Sequence, residues 1–329
     1  MSYWNNKKVL VTGAGGFIGS HLVETLLKSN ANVRAFIKYN SRNSWGHLDE
    51  ITKENLDIFI GDLQDSFAVR KAVEGVDVVF HLGALIGIPY SYIAPEHYVN
   101  TNIKGTLNIL EAGLSEHTPK IIHTSTSETY GTAQYTPIDE SHPLQGQSPY
   151  SASKIGADKL AESYHLSFNL PVSTIRPFNT FGPRQSARAV IPTIISQALS
   201  GAKKIKLGSS SPVRDFLFVK DTVKGFLAVA QSEDSIGKVI NVGYGKGISI
   251  GDLANQILSL LQKEHVEIIT DTQRVRPNNS EVFELICNNN KAKQILNWQP
   301  KFTLEDGLKV TIDYIQQNLD KYKPEIYNI

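Results

Sequence analysis

The sequence predicts an α/β protein built on a doubly wound parallel sheet, with a smaller lobe formed by the C-terminal part of the chain. Three observations support this: short β-branched runs alternate with segments of helical periodicity, a glycine-rich turn follows the first run, and prolines interrupt the rhythm after about residue 177. Parallel strands are buried on both faces and therefore read as continuous apolar runs. The predicted strands are Lys8 to Val11, Val33 to Ile37, Ile58 to Ile60, Val76 to Leu82, Lys120 to Thr124 and Val172 to Ile175.

The first strand leads into a glycine-rich turn, which opens a helix predicted over Phe17 to Lys28. Gly13, Gly16 and Gly19 stand where a strand-to-helix turn approaches a pyrophosphate, and backbone N–H groups and the helix dipole would hold that anion. Glycines here can also serve tight packing alone. The order of strand, turn, helix and second strand favours a dinucleotide site.

The segment after the second strand bears on the choice of dinucleotide. An acidic residue at this point would bind the ribose 2′-hydroxyl of NAD, but Lys38, Ser41 and Arg42 occur there instead. Their cations and hydroxyl suit a 2′-phosphate, so NADP is favoured over NAD, with solvated loop charges as the alternative. Asp62 follows the third strand, where it is either an adenine contact or a strand-end turn residue.

Tyr150 and Lys154 stand four residues apart in a segment of helical periodicity that runs to Phe168. This spacing places both side chains on one helix face. A neighbouring ammonium and the positive nicotinamide ring of an oxidised cofactor would stabilise a phenolate and lower its pKa, so Tyr150 is predicted to take a proton from a hydroxyl as hydride leaves the same carbon. Chance spacing on an amphipathic helix is the alternative.

The second half of the chain is predicted to divide between two lobes. Residues 1–177 and about 213–245 are assigned to the dinucleotide-binding domain, which ends in a strand over Val239 to Val242. Residues of about 178–212 and 246–329 are assigned to the smaller lobe, with helices over Ile250 to Gln262 and Asn289 to Leu296.

Composition excludes several classes of function. Lysine plus arginine (33) balances aspartate plus glutamate (32), so there is no basic field for nucleic acid or an anionic membrane surface. The single cysteine, Cys287, excludes an internal disulfide and lacks the partners of a metal site. No run reaches the ~18 apolar residues of a membrane helix. A cytoplasmic protein without a bound metal is expected.

The chain resembles the extended short-chain dehydrogenase/reductase family over essentially its whole length, which implies a Rossmann domain and a substrate lobe. The features that carry this resemblance are the glycine turn, Gly61-Asp62-Leu63, His81-Leu82-Gly83-Ala84, Asn100 to Gly105, Tyr150 with Lys154, Arg176 to Asn179, Gly182-Pro183-Arg184 and Arg214-Asp215-Phe216. Gly83 is a mild departure from the usual His-Leu-Ala-Ala. The resemblance implies a tightly bound NAD(P). The assigned cofactor contacts are Gly13, Gly16, Phe17, Ile18, Gly19, Lys38, Ser41, Arg42, Asp62, Leu63, Leu82, Ala84, Tyr150 and Lys154.

Residues Thr126, Ser127 and Glu128, just after the fifth strand, distinguish reactions within this family. Simple 4-epimerases carry a small nonacidic residue at the position of Glu128, whereas a 4,6-dehydratase needs a carboxylate to remove the C5 proton. The Ser127-Glu128 pair resembles the pattern of the GDP-mannose 4,6-dehydratases. The TDP-glucose dehydratases differ, since they have an aspartate-glutamate pair at these two positions. Glu128 would then both take the C5 proton and deliver one to O6, while Thr126 binds O4. A structural carboxylate is the alternative for Glu128.

Resemblance also supplies the predicted substrate and assembly. The assigned substrate contacts are Asn179, Arg184, Val190, Arg214 and Arg276. Arginines suit a diphosphate, although each is also a candidate surface ion-pair partner. The stretch from Arg276 to Val282 resembles the corresponding stretch of GDP-mannose dehydratases, with an insertion, which favours GDP as the nucleotide. The stretches from Tyr130 to Gln134 and from Gln185 to Thr193 are similar to the bacterial dehydratases of legionaminic acid biosynthesis. This implies a GDP-linked N-acetylglucosamine, with a UDP-linked sugar as the rival, and a homodimer or homotetramer formed through helices near Asn102 and Tyr150.

Two other functions remain open from the sequence. A nucleotide-sugar 4-epimerase uses the same tyrosine and lysine but leaves C6 hydroxylated. A noncatalytic dinucleotide sensor belongs to a different class, and such proteins usually lose Tyr150, Lys154 or Glu128, all of which are present here.

Overall fold

The structure is a computed structural model that describes residues 3–51 and 54–328. The described residues form two main sheets, a two-stranded pair and helices around them. The strands are β1 (Lys8–Thr12), β2 (Asn32–Lys38), β3 (Leu56–Gly61), β4 (Val78–His81), β5 (Lys120–Thr124), β6 (Val172–Pro177), β7 (Asn179–Phe181), β8 (Lys204–Leu207), β9 (Val213–Phe218), β10 (Val239–Val242), β11 (Gly247–Ser249), β12 (Glu267–Thr270) and β13 (Glu284–Leu285). The helices are α1 (Phe17–Lys28), α2 (Ser66–Val73), α3 (Ile88–Ile93), α4 (Pro95–Tyr98), α5 (Gly105–Ser115), α6 (Pro149–Phe168), α7 (Val190–Leu199), α8 (Val219–Gln231), α9 (Ile250–Leu260), α10 (Asn290–Leu296) and α11 (Leu304–Gln317).

The large sheet has seven parallel strands in the order β10-β6-β5-β4-β1-β2-β3. Its two faces are buried by different helices, because side chains alternate along each strand. Val9 and Val11 of β1 lie in the same apolar cluster as side chains of α1 and α8, whereas Leu10 packs with those of α2, α5 and α6. The predicted doubly wound α/β fold is confirmed, with every predicted strand in this sheet.

The second sheet is smaller and centred on β9, which pairs antiparallel with β11 and in parallel with β13 and β7. The sequence predicts that residues of about 213–245 belong to the domain of the large sheet. β10 does so by pairing with β6, but β9 belongs to the second sheet. Phe216 and Phe218 explain this placement, since their rings pack against Phe181 of the neighbouring β7. The division of the chain into two lobes at the stated boundaries stays a prediction.

Two further findings concern the helices. The chain from α4 to α5 is continuously helical, and its middle part, Val99–Lys104, is a π-helix; the sequence predicted a helix starting only near Asn102. Among the described residues, no helix is long and apolar enough to cross a membrane.

Candidate active site

The glycine turn joins β1 to α1 at the carboxyl edge of the large sheet. Gly13 has a left-handed φ of +67°, and its carbonyl accepts from the Gly16 N–H at 3.1 Å. A Cβ on Gly19 would lie 2.2 Å from the Gly13 oxygen, so only glycine allows this close approach. Gly16 begins α1 with no side-chain cap. The first N–H groups of α1 are therefore suited to bind a pyrophosphate.

The end of β4 supports the same turn. The Gly83 N–H donates to Thr12 Oγ1 at 2.9 Å, beside Gly13. A Cβ at Gly83 would lie 2.8 Å from Leu63 Cδ1. The family pattern has alanine at this position, but here a side chain would collide with Leu63, which is a predicted cofactor contact. Glycine at position 83 avoids that collision. Leu82 and Ala84 flank this glycine.

Lys38 and Asp62 lie together at the ends of the adjacent strands β2 and β3. Lys38 Nζ is 3.3 Å from Asp62 Oδ2, and Asp62 also accepts from the Gln64 N–H at 2.9 Å. Partial burial opposes ionisation of Asp62, but these two donors together lower its pKa. Ser41 and Arg42 are exposed in the following loop. The sequence treated Lys38 as a cation available to a phosphate, whereas here it has a carboxylate partner.

Tyr150 and Lys154 occupy the first two turns of α6, as the spacing predicted. Ser148 caps this helix in a reciprocal pair with Ser151. Tyr150 is only 6% exposed and hydrogen-bonds to the side chain of Thr126. Lys154 is 4% exposed, and its ammonium donates to the Thr124 carbonyl at 2.6 Å.

Burial determines the charge of both groups. It raises the pKa of Tyr150 well above its ordinary value, with Glu128 adding to the rise and the Thr126 hydrogen bond opposing it. It lowers the pKa of Lys154 to about 8, which the negative charge of Asp158 counteracts. In the chain without cofactor, burial therefore opposes ionisation of the phenol. The lowered phenol pKa that the sequence predicts depends also on the oxidised nicotinamide ring, and it stays a prediction.

Thr126, Ser127 and Glu128 follow β5 in a short helical turn, Ser127–Tyr130. Thr126 Oγ1 accepts from the Glu128 N–H at 3.3 Å. The Glu128 carboxylate lies 3.9 Å from Arg276 Nη1 and close enough to Tyr150 for its charge to oppose ionisation of the phenol. Glu128 is partly accessible, whereas Ser127 is buried. The turn thus presents one carboxylate and one hydroxyl beside the phenol.

Two predicted substrate residues, Arg214 and Arg276, come together next to that carboxylate. Arg276 Nη1 lies 3.9 Å from Glu128 Oε2 and 3.8 Å from Glu281 Oε1, and Arg214 Nη2 lies 3.4 Å from the same Glu281 oxygen. Asn179 Oδ1 and Arg276 Nη1 are buried, and neither has a hydrogen-bond partner within the described part of the chain. Such unsatisfied polar atoms are typical of a site that binds a ligand.

The other two predicted substrate residues lie on different elements. Arg184 donates to Ser20 Oγ at 3.1 Å and to Glu24 Oε1 at 2.5 Å, both on α1. Val190 is the first residue of α7. The structure gives Arg184 a structural ion pair, which was the alternative weighed for each arginine, and its role toward substrate stays a prediction.

Sequence reasoning missed three polar residues of this region. Asp158 lies one turn beyond Lys154, a helical spacing that could have indicated it. Glu281 lies in the segment that begins at Arg276. Asn102 is buried, exchanges hydrogen bonds with both backbone groups of Leu85 and donates to Ser153 Oγ on α6.

A family model for GDP-mannose 4,6-dehydratases matches residues 10–311. The low-salt glycan biosynthesis protein Agl12 of Haloferax volcanii is 33% identical over 313 residues, which are 93% of this chain and 97% of that protein. The structure of DesIV, a dTDP-glucose 4,6-dehydratase from Streptomyces venezuelae with NAD and TYD bound, has a TM-score of 0.88 at 26% identity, covering 96% of this chain and 99% of that chain. A UDP-glucuronic acid 4-epimerase from Bacillus cereus, solved with UDP-glucuronic acid and NAD, has a TM-score of 0.87 at 29% identity, covering 94% and 99%.

Proposed function

The chain belongs to the GDP-mannose 4,6-dehydratase family, whose relatives include dehydratases and epimerases of nucleotide sugars, and we propose that it is a nucleotide-sugar 4,6-dehydratase. The observation that carries this proposal is the position of Glu128. Its carboxylate lies beside the phenol of Tyr150 and 3.9 Å from Arg276. A base at this point serves the removal of a proton from C5, a step that a simple epimerisation at C4 does not need.

When bound, the cofactor would accept a hydride from C4 and later return it to C6. Tyr150 takes the proton of O4, whose oxygen Thr126 holds, and C4 becomes a ketone. The ketone makes the C5 proton acidic, and Glu128 removes it. Glu128 then delivers a proton to O6, which leaves as water. The proton taken from O4 balances the one that C5 receives when hydride reaches C6, so the product is a 4-keto-6-deoxy sugar with no net redox change.

The proposed substrate is a GDP-linked N-acetylglucosamine. Arg214 and Arg276 support a diphosphate because guanidinium groups bind phosphate oxygens in pairs. The matching family model is named for a GDP sugar, whereas human and bacterial relatives are named for dTDP-glucose. A UDP-linked or dTDP-linked sugar is therefore the rival.

The test is incubation of the enzyme with GDP-, UDP- and dTDP-linked mannose, glucose and N-acetylglucosamine, followed by NMR of the products. We expect a 6-methyl signal and a C4 ketone from GDP-linked N-acetylglucosamine. A product that keeps the C6 hydroxyl and is inverted at C4 would establish the epimerase instead. Turnover of a UDP or dTDP sugar alone would overturn the choice of nucleotide but keep the dehydratase.

The cofactor is NAD(P), and the finer proposal is NADP. The cations of Lys38 and Arg42 after β2 support a 2′-phosphate. Against this, Lys38 already pairs with Asp62, and three solved neighbours are named with NAD. Release and mass analysis of the bound cofactor decides it, and Lys38→Ala should weaken NADP binding without affecting NAD. Recovery of NAD alone overturns this preference.

The proposed assembly is a homodimer or homotetramer formed through α5 and α6. Leu166 and Phe168 support it, since both are large apolar side chains exposed near the end of α6. Light scattering of the purified enzyme should give at least twice the chain mass of 36.4 kDa. A monomer at assay concentration would contradict this arrangement.

A further inference from the structure

Asp158 lies directly behind the tyrosine and lysine of the site. It is 5% exposed, four residues after Lys154 on α6. One carboxylate oxygen accepts from Ser125 Oγ at 2.5 Å and from Arg176 Nη2 at 2.8 Å, while the other lies 2.9 Å from His123 Nε2. A buried carboxylate with three polar partners is fully engaged, and it is ionised because these partners hold its pKa well below the ordinary value despite burial.

The partners of Asp158 connect the elements that carry the site. His123 and Ser125 lie at the end of β5, immediately before Thr126, and Arg176 lies on β6. Lys154, one turn earlier on α6, donates to the Thr124 carbonyl from the same side. The end of β5 is therefore held to α6 at two points, one by Lys154 and one by Asp158.

Asp158 also determines the balance of charge around Lys154. The charged or titratable groups that interact with Lys154 are Asp158 on α6, His81 on β4 and His123 on β5, with Tyr150 one turn earlier on the same helix. Arg176 on β6 binds Asp158 and competes with Lys154 for its negative charge. Arg176 is permanently cationic, and burial keeps the two histidines neutral by lowering their pKa values. Asp158 is the carboxylate of this group, and its negative charge opposes the loss of the Lys154 proton.

We propose that Asp158 is a positioning residue of the enzyme, which keeps Lys154 protonated and holds the Thr126 turn against Tyr150. This rests on the proposed redox role of Tyr150 and Lys154. It does not depend on which sugar is bound or on whether water is eliminated afterwards. Asp158 is buried and therefore acts through its neighbours, not through contact with the substrate.

The test is the pH dependence of the first half-reaction, measured as the absorbance of reduced nicotinamide after addition of an accepted nucleotide sugar. Asp158→Asn keeps the shape of the side chain and removes its charge. We expect the alkaline limb of the rate to move to lower pH by about one unit or more, which is a tenfold loss on that limb. Asp158→Glu should restore the limb to its original position. An unshifted limb in a folded Asp158→Asn enzyme overturns the proposal.

A second variant tests the same balance from the other side, because Asp158→Asn leaves Arg176 buried with fewer partners and could fail to fold. Arg176→Gln keeps Asp158 and removes the competing cation, so the alkaline limb should move to higher pH. General damage to the site would not shift the limb in opposite directions. Whichever variant folds decides the outcome, and a shift opposite to the expected one in either overturns the proposal.

The control is Asp221→Asn. Asp221 is also fully buried, on α8, where its carboxylate accepts from the backbone N–H groups of Lys301 and Phe302. Its loss should lower stability and leave the limb in place. Failure of the proposed dehydration would be seen separately, because the wild-type enzyme would then give an epimerised product. The alkaline limb of the cofactor-reduction rate would still depend on Asp158 in that case.

Discussion

At the scale of single residues, burial sets the resting state of the site. It raises the pKa of Tyr150 and lowers that of Lys154 to about 8, so both groups are driven toward their neutral forms. Glu128 reinforces this, because its charge disfavours a phenolate next to it. The phenol is therefore not a base in the free chain. In the proposed mechanism, proton transfer from O4 would therefore need the positive charge that a bound oxidised cofactor brings to the site.

The first prediction concerns Glu128. Glu128→Gln should abolish water elimination and the exchange of the C5 proton with solvent, because the amide cannot accept a proton. Reduction of the bound cofactor at C4 should persist, since Tyr150 and Lys154 remain. Deuterium uptake at C5 and the absorbance of reduced nicotinamide separate the two steps. Glu162→Gln, an exposed change on α6, is the control, and near-normal turnover of Glu128→Gln would remove this residue from the mechanism.

The second prediction concerns Gly19. Gly19→Ala places a methyl group 2.2 Å from the Gly13 oxygen, which is backbone and cannot move aside. We expect a loss of about 1–3 kcal/mol in the free energy of unfolding, together with loss of bound cofactor. Gly251→Ala, with 3.6 Å to its nearest neighbour atom inside α9, should be neutral or slightly stabilising. Urea denaturation and cofactor content measure both, and equal stabilities of the two variants would contradict the close approach.

At the scale of elements, the sequence predicted those with a strong local pattern. The first six strands, α1 and the extent of α6 follow from apolar runs, helical spacing and the glycine turn. The second sheet was not predicted, because β7, β11 and β13 have only two or three residues each. Such short strands exist through pairing with β9, which no local pattern reveals.

The candidate site divides in the same way. Residues adjacent in sequence or one helical turn apart, such as Tyr150 with Lys154 and Thr126 with Glu128, were predicted together. Arg276 and Glu128 are far apart in the sequence, so their contact could not be predicted from local pattern. It depends on the path of the whole chain. The partners in the pairs of Lys38 with Asp62 and of Arg184 with Glu24 also required the fold. The sequence left an ion pair open for Arg184 but could not say that Glu24 is its partner.

The third prediction concerns the start of α6. Ser148→Ala removes the cap of the helix whose second residue is Tyr150, and should cost about 1 kcal/mol. Fraying there should also lower kcat, since it displaces the phenol from Thr126. Ser249→Ala removes the equivalent cap of α9, away from Tyr150, and should cost a similar amount with kcat unchanged. Denaturation midpoints and initial rates of the two variants give the comparison, and equal rates would show that the cap has no part in holding Tyr150.

At the scale of the whole molecule, one apolar cluster joins the large sheet to the second sheet. It includes Val11 of β1, Phe226 of α8, Phe218 of β9 and Leu308 of α11. Because these side chains share one core, neither sheet can open alone without exposing apolar surface. We therefore expect the two sheets to unfold in one transition.

The fourth prediction concerns the pH dependence of this transition. Folding lowers the pKa values of Lys120 and Lys154 to about 8, whereas both are near 10.5 when exposed. Between these values the unfolded chain binds more protons, so the free energy of unfolding rises with pH, by about 3 kcal/mol for each lysine. Burial raises the pKa of Tyr130 to about 12, which reverses the slope above about pH 10.

Urea titrations at several pH values measure this curve, with a maximum expected near pH 10. Lys120→Met should flatten the rising part, because the buried ammonium that donates to Ser232 and Ser235 is removed. A free energy of unfolding that falls steadily from pH 8 would contradict the assignment of these two lysines.

The strands of the two sheets alternate along the chain: β7 and β9 belong to the second sheet, β10 returns to the large one, and β11 and β13 belong to the second again. A single recombination point therefore cannot exchange the second sheet of this chain with that of a relative. At least two separate inserts must be transferred together, one on each side of β10.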